Sequence, residues 1–177
     1  WSYREALLKE FKIPQNWSWP RVGELCDIQT GATPSKQKPE YFGGEIKWLV
    51  SGDINKGEIF DCDGRITNEG YAASNCKILP KNIVMMALNG QGKTRGKVAI
   101  LDIKASINQA CAAISLSRGM NVEFVFQNLA SRYVEIRSIS NQGGQENLSS
   151  GLIKEMSFSY PDVESSEQQK IADCLSS

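Results

Sequence analysis

Residues 87–97 (Ala-Leu-Asn-Gly-Gln-Gly-Lys-Thr-Arg-Gly-Lys) carry the residue types for two different kinds of chemistry. With Ala87 in place of the usual first glycine, Gly92, Lys93 and Thr94 nearly complete a phosphate-binding loop of the kind that holds nucleotides. The same glycines and cations could instead form a basic loop that contacts a DNA backbone and base edges. The elements on either side of the segment distinguish the two interpretations.

The flanking runs favour a hairpin. A nucleotide-binding loop needs a strand before it and a long amphipathic helix after it, because the helix N-terminus helps to hold the phosphates. Residues 83–88 predict a strand, but Val98–Leu101 is a second short apolar run of strand type and ends at Asp102. Strand, glycine-rich loop and strand describe a hairpin, so nucleotide binding through Gly92, Lys93 and Thr94 becomes the alternative interpretation.

Catalytic and metal-binding chemistry has little support in the 177 residues. The sequence contains no histidine, which excludes Ser-His-Asp and Cys-His nucleophile arrangements and histidine metal clusters. Residues 61–64 (Asp-Cys-Asp-Gly) resemble a calcium loop, but Ile59 and Gly70 stand where its first and last ligands belong, which indicates a turn. Asp102 and Lys104 lack the upstream Pro-Asp pair of a restriction nuclease. We therefore expect no catalytic residue, cofactor or metal in this chain.

Composition indicates one globular domain, with 41% hydrophobic and 23% charged residues. The formal net charge is zero, so any nucleic-acid site must be a local basic patch. No apolar run approaches the roughly 20 residues that span a bilayer, and no signal peptide opens the chain. Five cysteines without a C-x-x-C pair favour reduced thiols in a cytoplasmic protein. Because Trp1 replaces the usual initiator Met, we expect a fragment or a processed chain.

The first two thirds of the sequence has the spacing of short strands and turns. Before them, residues 3–11 place Ala6, Leu7 and Phe11 on one side of a predicted helix. Strand-type runs and glycine-containing turns then alternate as far as Leu116, which favours a β-rich domain. The expected elements are a short helix or strand at 22–28, a loop at 30–35 that continues through 39–44, and a strand at 46–50 with Trp48 in the core.

One helix is predicted clearly in the last third. Asn121 is a suitable N-cap, and Glu123 is favourably placed in the first turn. Apolar residues recur at helical spacing from Val122 to Ile136, which predicts one continuous helix over that range.

The remaining residues are expected to form a polar linker, a strand and a final helix. Residues 138–150 are polar and predicted to be flexible. Met156, Phe158 and Tyr160 then alternate as in a strand that Pro161 ends. Ser165 and Gln168 form a capping box for a helix that carries Ile171 and Leu175 and is expected to continue beyond Ser177.

A series of short motifs gives the sequence its most specific signal, since each is weak alone but their common order is not. The motifs are Trp19-Pro-Arg-Val-Gly-Glu-Leu, Thr30-Gly-Ala-Thr-Pro-Ser, Tyr41-Phe-Gly-Gly-Glu-Ile-Lys-Trp, Gly52-Asp-Ile, Ile66-Thr with Gly70, Gly90-Gln-Gly-Lys-Thr-Arg-Gly, Ile107-Asn-Gln-Ala, Gln145-Glu-Asn-Leu-Ser, and Pro161 followed by Glu167-Gln-Gln-Lys-Ile-Ala. This series closely resembles a target recognition domain from the specificity subunit of a type I restriction–modification system, over about residues 16–177.

The resemblance implies an α+β fold: a β-rich target recognition domain of short twisted strands with a few helices, leading into a long C-terminal spacer helix that is truncated here. It divides the chain into an N-terminal helix or linker segment (1–15), the recognition domain (16–162) and the start of the spacer helix (163–177). It also implies a noncatalytic subunit that recognises one half of a bipartite DNA site.

The partners implied are double-stranded DNA, methyltransferase (modification) subunits and a restriction/motor subunit, with no membrane. S-adenosylmethionine, ATP and Mg are expected on those partner subunits and no cofactor on this chain. An alternative is a recognition domain within a fused restriction–methyltransferase polypeptide. The nucleotide-binding protein considered above is a further and weaker alternative.

Three segments contain the residue types that such a role needs. Arg95 is suited to a bidentate contact with guanine and Gln91 to adenine, while glycines let the backbone approach phosphates closely. Lysines supply positive charge for the phosphates. The expected DNA-binding residues are Gln91, Lys93, Thr94, Arg95 and Lys97 in the first segment, Thr33, Ser35, Lys36 and Lys38 in the second, and Asn141, Gln142 and Gln145 in the third.

Overall fold

A sheet with its central strand buried on both faces organises the chain. The computed structural model describes residues 14, 16–90, 92–117, 119–141, 147–162 and 166–176; the predicted helix at 3–11 lies outside them. The strands are β1 (Cys26–Thr30), β2 (Phe42–Leu49), β3 (Glu58–Ile59), β4 (Arg65–Ile66), β5 (Ile83–Ala87), β6 (Val98–Leu101), β7 (Ser106–Ile107) and β8 (Cys111–Leu116).

Helices lie before, between and after these strands in the chain. They are α1 (Val22–Leu25), α2 (Asn68–Ala72), α3 (Val122–Ser131), α4 (Tyr133–Asn141), α5 (Ser150–Glu155) and α6 (Glu167–Leu175), and two 3₁₀ turns occupy Pro39–Tyr41 and Ser51–Lys56. The mixture of strands and helices confirms the predicted α+β class. Among the described residues, no helix is long and apolar enough to cross a membrane.

Two sheets share the strands. The larger has the order β1-β8-β5-β6-β3, in which the first four strands are antiparallel neighbours and β3 runs parallel to β6. The smaller has the order β4-β2-β7, with β2 antiparallel to β4 and parallel to β7. Most of these strands are short, as the spacing of apolar runs predicted.

The central strand β5 separates two hydrophobic cores. All five of its residues are buried, which is why its sequence is a continuous apolar run rather than an alternating one. Val84 and Met86 face a core completed by α3, α4 and α5, whereas Met85 and Ala87 face a core that includes Leu49, Ile54 and Ile107. The fold therefore has one helical layer and one layer of small sheet and turns, on opposite faces of the large sheet.

The predicted helix from Val122 to Ile136 is interrupted. Asn121 caps it as expected, its side-chain oxygen accepting from the Phe124 amide at 2.8 Å. At Arg132 the backbone leaves the helix (φ −96°, ψ 17°), and α4 begins one residue later. The Arg132 side chain is buried and donates to the Ser157 carbonyl at 2.6 Å and to the Glu135 carboxylate. This long-range attachment accompanies the break, and nothing in the helical spacing indicates it.

The segment predicted as a loop at 39–44 is instead a 3₁₀ turn followed by the first residues of β2. The strand accommodates its two glycines through an irregular register between Phe42 and Ile46, both of which pair with Ile66. Trp48 is half-buried rather than in the core. Its indole Nε1 donates to the Ala32 carbonyl at 3.0 Å, and its ring packs edge-on against Phe42. The indole nitrogen needs a hydrogen-bond partner and finds it in the partly buried Ala32 carbonyl, which explains why Trp48 lies outside the core.

The chain after α4 also differs from its prediction. Residues 156–160 are extended, with Met156 and Phe158 buried, but they make only isolated bridges, Arg21 with Ser157 and Ser18 with Tyr160. Within the stretch predicted to be flexible, Ser149 caps the unpredicted α5 by accepting from the Leu152 amide. The final helix α6 is present; its N-cap is Ser166, without a side-chain hydrogen bond, and Ser165 lies outside the described residues.

Candidate nucleic-acid interface

One end of the large sheet gathers several of the segments singled out in the sequence. The pairs Thr30 with Ala112, Ala87 with Cys111, and Met86 with Val98 place the end of β1, the end of β5 and the starts of β6 and β8 at the same level. Because β8 separates β1 from β5, two strand spacings, or about 10 Å, lie between the loops that leave those strands. We call these the β1 loop (residues 31–38) and the hairpin loop (residues 88–97).

The hairpin loop joins two antiparallel strands, which confirms the hairpin predicted from the sequence. Its ends are closed by two backbone hydrogen bonds, from the Ala87 amide to the Lys97 carbonyl at 3.0 Å and from the Gly96 amide to the Ala87 carbonyl at 2.9 Å. Strand β6 occupies the positions at which a nucleotide-binding loop requires a helix. The nucleotide-binding interpretation therefore loses its structural basis.

Two glycines of the hairpin loop serve different purposes. Gly92 has φ 68°, and a Cβ added there would meet nothing within 4 Å, so it is an open, left-handed turn residue. Gly96 has φ 82° and is buried, and an added Cβ would lie 3.2 Å from side-chain atoms of Ile136 and Arg137. Helix α4 occupies the side of Gly96 on which a Cβ would lie, so this glycine allows the hairpin loop to pack closely against α4.

The basic side chains of the hairpin loop are not equivalent. Lys93 is exposed, whereas Arg95 and Lys97 are half-buried. Lys97 lines a groove of about 210 Å³ with Phe126, Ala130 and other residues of the loop and helices. Of the cations in this loop, Lys93 thus has the most open access to a ligand. Gln91 lies outside the described residues.

The hairpin loop is attached to the 3₁₀ turn at Ser51–Lys56. The side-chain nitrogen of Asn55 donates to the Thr94 hydroxyl at 3.1 Å. Thr94 is consequently held by a neighbouring element at the centre of the Lys93–Arg95 tripeptide. Its hydroxyl also donates to the Asn55 side-chain oxygen at 3.4 Å, so one acceptor position remains for a further partner.

Helix α4 holds the opposite side of the hairpin loop. The Tyr133 hydroxyl donates to the main-chain carbonyl of Lys93 at 2.6 Å. One guanidinium nitrogen of Arg137 donates to the carbonyl of Arg95 at 3.1 Å and to the Tyr133 hydroxyl at 3.3 Å. The guanidinium also lies over the Tyr133 ring, 5.5 Å from its centroid.

Tyr133 and Arg137 are not among the residues that the sequence predicts for this surface. Their spacing of four places them on one face of a helix, and this is the signal that the sequence offers. It does not identify a loop 40 residues earlier in the chain as the partner of that face.

The β1 loop presents its polar side chains in two ways. Ser35 and Lys36 are exposed, and the Thr33 hydroxyl donates to the side-chain oxygen of Gln109, in the turn that precedes β8. Lys38 donates to the Tyr41 hydroxyl at 3.0 Å, with its ammonium 5.0 Å from the ring centroid. The hydrogen bond to Tyr41 raises the pKa of Lys38, so the ammonium stays protonated throughout the neutral range.

The third predicted segment can be described only at its borders. Asn141 is the last residue of α4, and Gln142 and Gln145 lie outside the described residues. On the far side, the Leu148 amide donates to the Leu88 carbonyl at 2.8 Å. Both borders of this segment are thus attached to the hairpin loop, one through α4 and the other through Leu148.

The thiols and carboxylates do not form a reactive cluster. All five cysteines are unbridged, and burial raises the pKa of Cys26 to about 11 and that of Cys111 to about 12. These thiols are therefore protonated and poorly nucleophilic at neutral pH. Within the described ranges, no three His, Cys, Asp or Glu side chains are placed to hold a metal ion. Residues 61–64 lie between β3 and β4 with a bend at Asp63, and Asp61 pairs with Lys47 at 3.0 Å.

The five-stranded sheet, with helices packed on one face and loops gathered at one end, defines an α+β domain. The chain belongs to the type I restriction modification DNA specificity domain family, whose model matches residues 14–177. It is similar to the type I restriction enzyme MjaIX specificity subunit of Methanocaldococcus jannaschii, with 28% identity over 170 residues that cover 93% of this chain and 38% of that protein. It is also similar to the EcoR124I/EcoR124II specificity subunit of Escherichia coli, with 27% identity over 179 residues covering 98% of this chain and 43% of that one.

Solved structures show the same fold. The HsdS subunit from Thermoanaerobacter tengcongensis matches with a TM-score of 0.70 and 18% identity, over 98% of this chain and 41% of that one. The type I restriction–modification S subunit from M. genitalium matches with a TM-score of 0.65 and 19% identity, over 93% of this chain and 40% of that one. The chain spans about two-fifths of the length of the relatives and structures that it matches.

Proposed function

We propose that this chain is a target recognition domain that binds double-stranded DNA and recognises one half of a bipartite site. The observation that carries the proposal is the position of the hairpin loop and the β1 loop at one end of the large sheet, in a member of the specificity domain family. Together these loops supply Lys36, Lys38, Lys93, Arg95 and Lys97 in a chain whose net charge is zero. The positive charge is local, as a DNA contact surface requires.

The dimensions of this surface suit a duplex. The ends of β1 and β5 are about 10 Å apart, which is close to the width of the DNA major groove, about 12 Å. We assign Lys36 and Lys93, both exposed, to phosphates, because lysine acts as a point charge and carries no sequence information there. Arg95 and Gln91 are assigned to base edges, where bidentate hydrogen bonds distinguish one base pair from another.

The chain's relatives suggest the context in which this recognition is used. They are specificity subunits of type I restriction enzymes, so we propose that this chain directs methyltransferase and restriction/motor subunits to its DNA site. The chemistry, with S-adenosylmethionine, ATP and Mg, is assigned to those subunits in the cytoplasm. Within the chain we assign recognition to residues 16–162 and the start of a spacer helix to residues 163–177, of which α6 is the described part.

A genome-wide methylation map tests the proposal. Single-molecule sequencing of the host, with the gene for this protein intact and deleted, should show methylation of one split motif that disappears on deletion. Restoring the gene should restore the motif. A gene bearing Lys93→Ala and Arg95→Ala should leave that motif largely unmethylated, because this chain supplies half of its recognition. If the intact host expresses the gene and the deletion strain still methylates every motif, the proposed function is wrong.

A further inference from the structure

The hairpin loop is fixed at three successive residues. The carbonyls of Lys93 and Arg95 accept hydrogen bonds from Tyr133 and Arg137, and the Thr94 side chain between them is bonded to Asn55. Two elements far apart in the sequence, a 3₁₀ turn and α4, thus hold the loop from two sides. Both of these bonds from α4 end on main-chain oxygens of the loop.

The attachment to α4 and to the 3₁₀ turn matters because the hairpin loop is rich in glycine. Gly90, Gly92 and Gly96 all have positive φ, and glycine gives up more conformational freedom on ordering than other residues do. A loop that must be ordered when DNA arrives loses affinity for its site, whereas one ordered beforehand does not. Base recognition is also more sensitive to side-chain placement than phosphate contact is, because bidentate hydrogen bonds have strict geometry.

From this geometry we infer that Tyr133 and Arg137 are positioning residues for DNA recognition by the hairpin loop. They hold the backbone at Lys93 and Arg95 so that the side chains of this loop meet base edges, and they do not contact DNA themselves. The inference rests on the proposed function. It makes the two residues determinants of selectivity between DNA sequences rather than of overall attraction to DNA.

Two single substitutions isolate the attachment. Tyr133→Phe removes the hydroxyl that binds the Lys93 carbonyl and keeps the ring beneath the guanidinium. Arg137→Met removes the guanidinium and keeps a side-chain stem where Arg137 packs against Gly96. Val134→Ala is the matched control, since Val134 lies on the same helix and is 79% exposed.

The variants are tested in the protein as its gene encodes it, assembled with its methyltransferase subunits. Affinity is measured for a duplex containing the methylated motif and for a duplex of the same length without it, at several salt concentrations. For Tyr133→Phe and Arg137→Met we expect motif affinity to fall about three- to tenfold, because each variant loses one hydrogen bond to the hairpin loop. Affinity for the other duplex and the salt dependence should not change, and Val134→Ala should match the wild type.

Three results would overturn the inference. Unchanged motif affinity in both variants would show that the attachment to α4 does not affect recognition. A salt dependence that falls by about one ion for Arg137→Met would show that Arg137 contacts a phosphate directly. An equal loss for both duplexes would show a general structural defect instead of positioning. A wild-type complex that binds both duplexes equally would instead refute the proposed function itself, and the inference with it.

A combined variant adds a measurement that a purely structural role would not affect. In the Lys93→Ala/Arg95→Ala background the loop no longer carries the side chains that Tyr133 positions. Adding Tyr133→Phe should then reduce motif affinity less than it does in the wild type, so the two losses should not be additive. If the two losses are fully additive, Tyr133 does not act through the side chains of Lys93 and Arg95.

Discussion

At the scale of the residue, a domain without net charge can bind DNA only through cations that are local and accessible. The basic residues differ in access: Lys36, Lys38 and Lys93 are exposed, although Lys38 is also bonded to Tyr41, and Arg95 and Lys97 are half-buried beside other elements. Residue type alone predicted all five as contacts. Burial and hydrogen bonding, which depend on the fold, make the five side chains differ in how accessible they are to DNA.

Replacement of Lys93 and Arg95 together by Ala should weaken DNA binding and flatten its salt dependence. Each lost phosphate contact lowers the slope of log K against log salt by about 0.9. A fall of about one therefore indicates that one of the two side chains contacts a phosphate, which we expect to be Lys93, and a fall of about two indicates that both do. Filter binding of the assembled complex over a salt series measures the slope.

The control for that experiment removes the same charge elsewhere. Lys81 precedes β5 and Lys104 follows β6, so these exposed lysines lie at the opposite end of the large sheet. Lys81→Ala together with Lys104→Ala should leave affinity and slope unchanged. If this variant and the loop variant weaken binding equally, the hairpin loop is not a preferred contact surface.

The thiols give a second prediction at this scale. Cys174 is exposed, whereas burial raises the pKa of Cys26 to about 11 and that of Cys111 to about 12. Since the thiolate is the reactive form, iodoacetamide at pH 8 should label Cys174 first and Cys111 only after unfolding. Peptide mass spectrometry over time measures the order. Labelling of Cys111 as fast as Cys174 in the folded protein would contradict the described core.

At the scale of the element, local signals predicted what local physics determines. The hairpin of β5 and β6 and the cap at Asn121 follow from turn chemistry and side-chain hydrogen bonds within a few residues. The break at Arg132 and the placement of Trp48 depend on partners 25 and 16 residues away, respectively. For the same reason the sequence predicts two loops but neither their position at one sheet end nor the contacts of Tyr133 and Arg137 with one of them.

The cap gives a prediction for α3. Asn121→Ala removes the side-chain acceptor for the Phe124 amide and should lower the free energy of unfolding by about 1 kcal/mol. Urea denaturation followed by circular dichroism measures the change. Asn75→Ala, at an exposed position outside helices and strands, should change it by less than about 0.5 kcal/mol. Equal stability of the two variants would mean that the cap contributes nothing measurable.

At the scale of the whole molecule, the large sheet couples two cores. Consecutive residues of β5 face opposite sides: Met85 packs with the turn and small-sheet residues, and Met86 packs with the helices. Helix α6 joins the helical side through the buried Gln168, which accepts from the Asn121 amide at 2.9 Å and donates to the Pro161 carbonyl. Neither core can lose its packing without exposing the strand that both share.

Unfolding should therefore be cooperative across both cores. Met85→Ala and Met86→Ala are each expected to destabilise the protein by about 2–5 kcal/mol, because both side chains are fully buried. Both should shift one common transition in calorimetry and in fluorescence, as in a two-state domain. Two separate transitions, with only one shifted by each variant, would show that the cores unfold independently.

The bonds from α4 to the hairpin loop end on carbonyl oxygens of the main chain. Every amino acid has that oxygen, so the side chains at positions 93 and 95 can be replaced without loss of the hydrogen bonds from Tyr133 and Arg137. Single substitutions at positions 93 and 95 would then place each new side chain on a backbone that is already fixed. The hairpin loop can therefore accept substitutions at the positions assigned to DNA contact. A library randomised at positions 93 and 95 alone is the natural starting point for altering which DNA sequence the domain prefers.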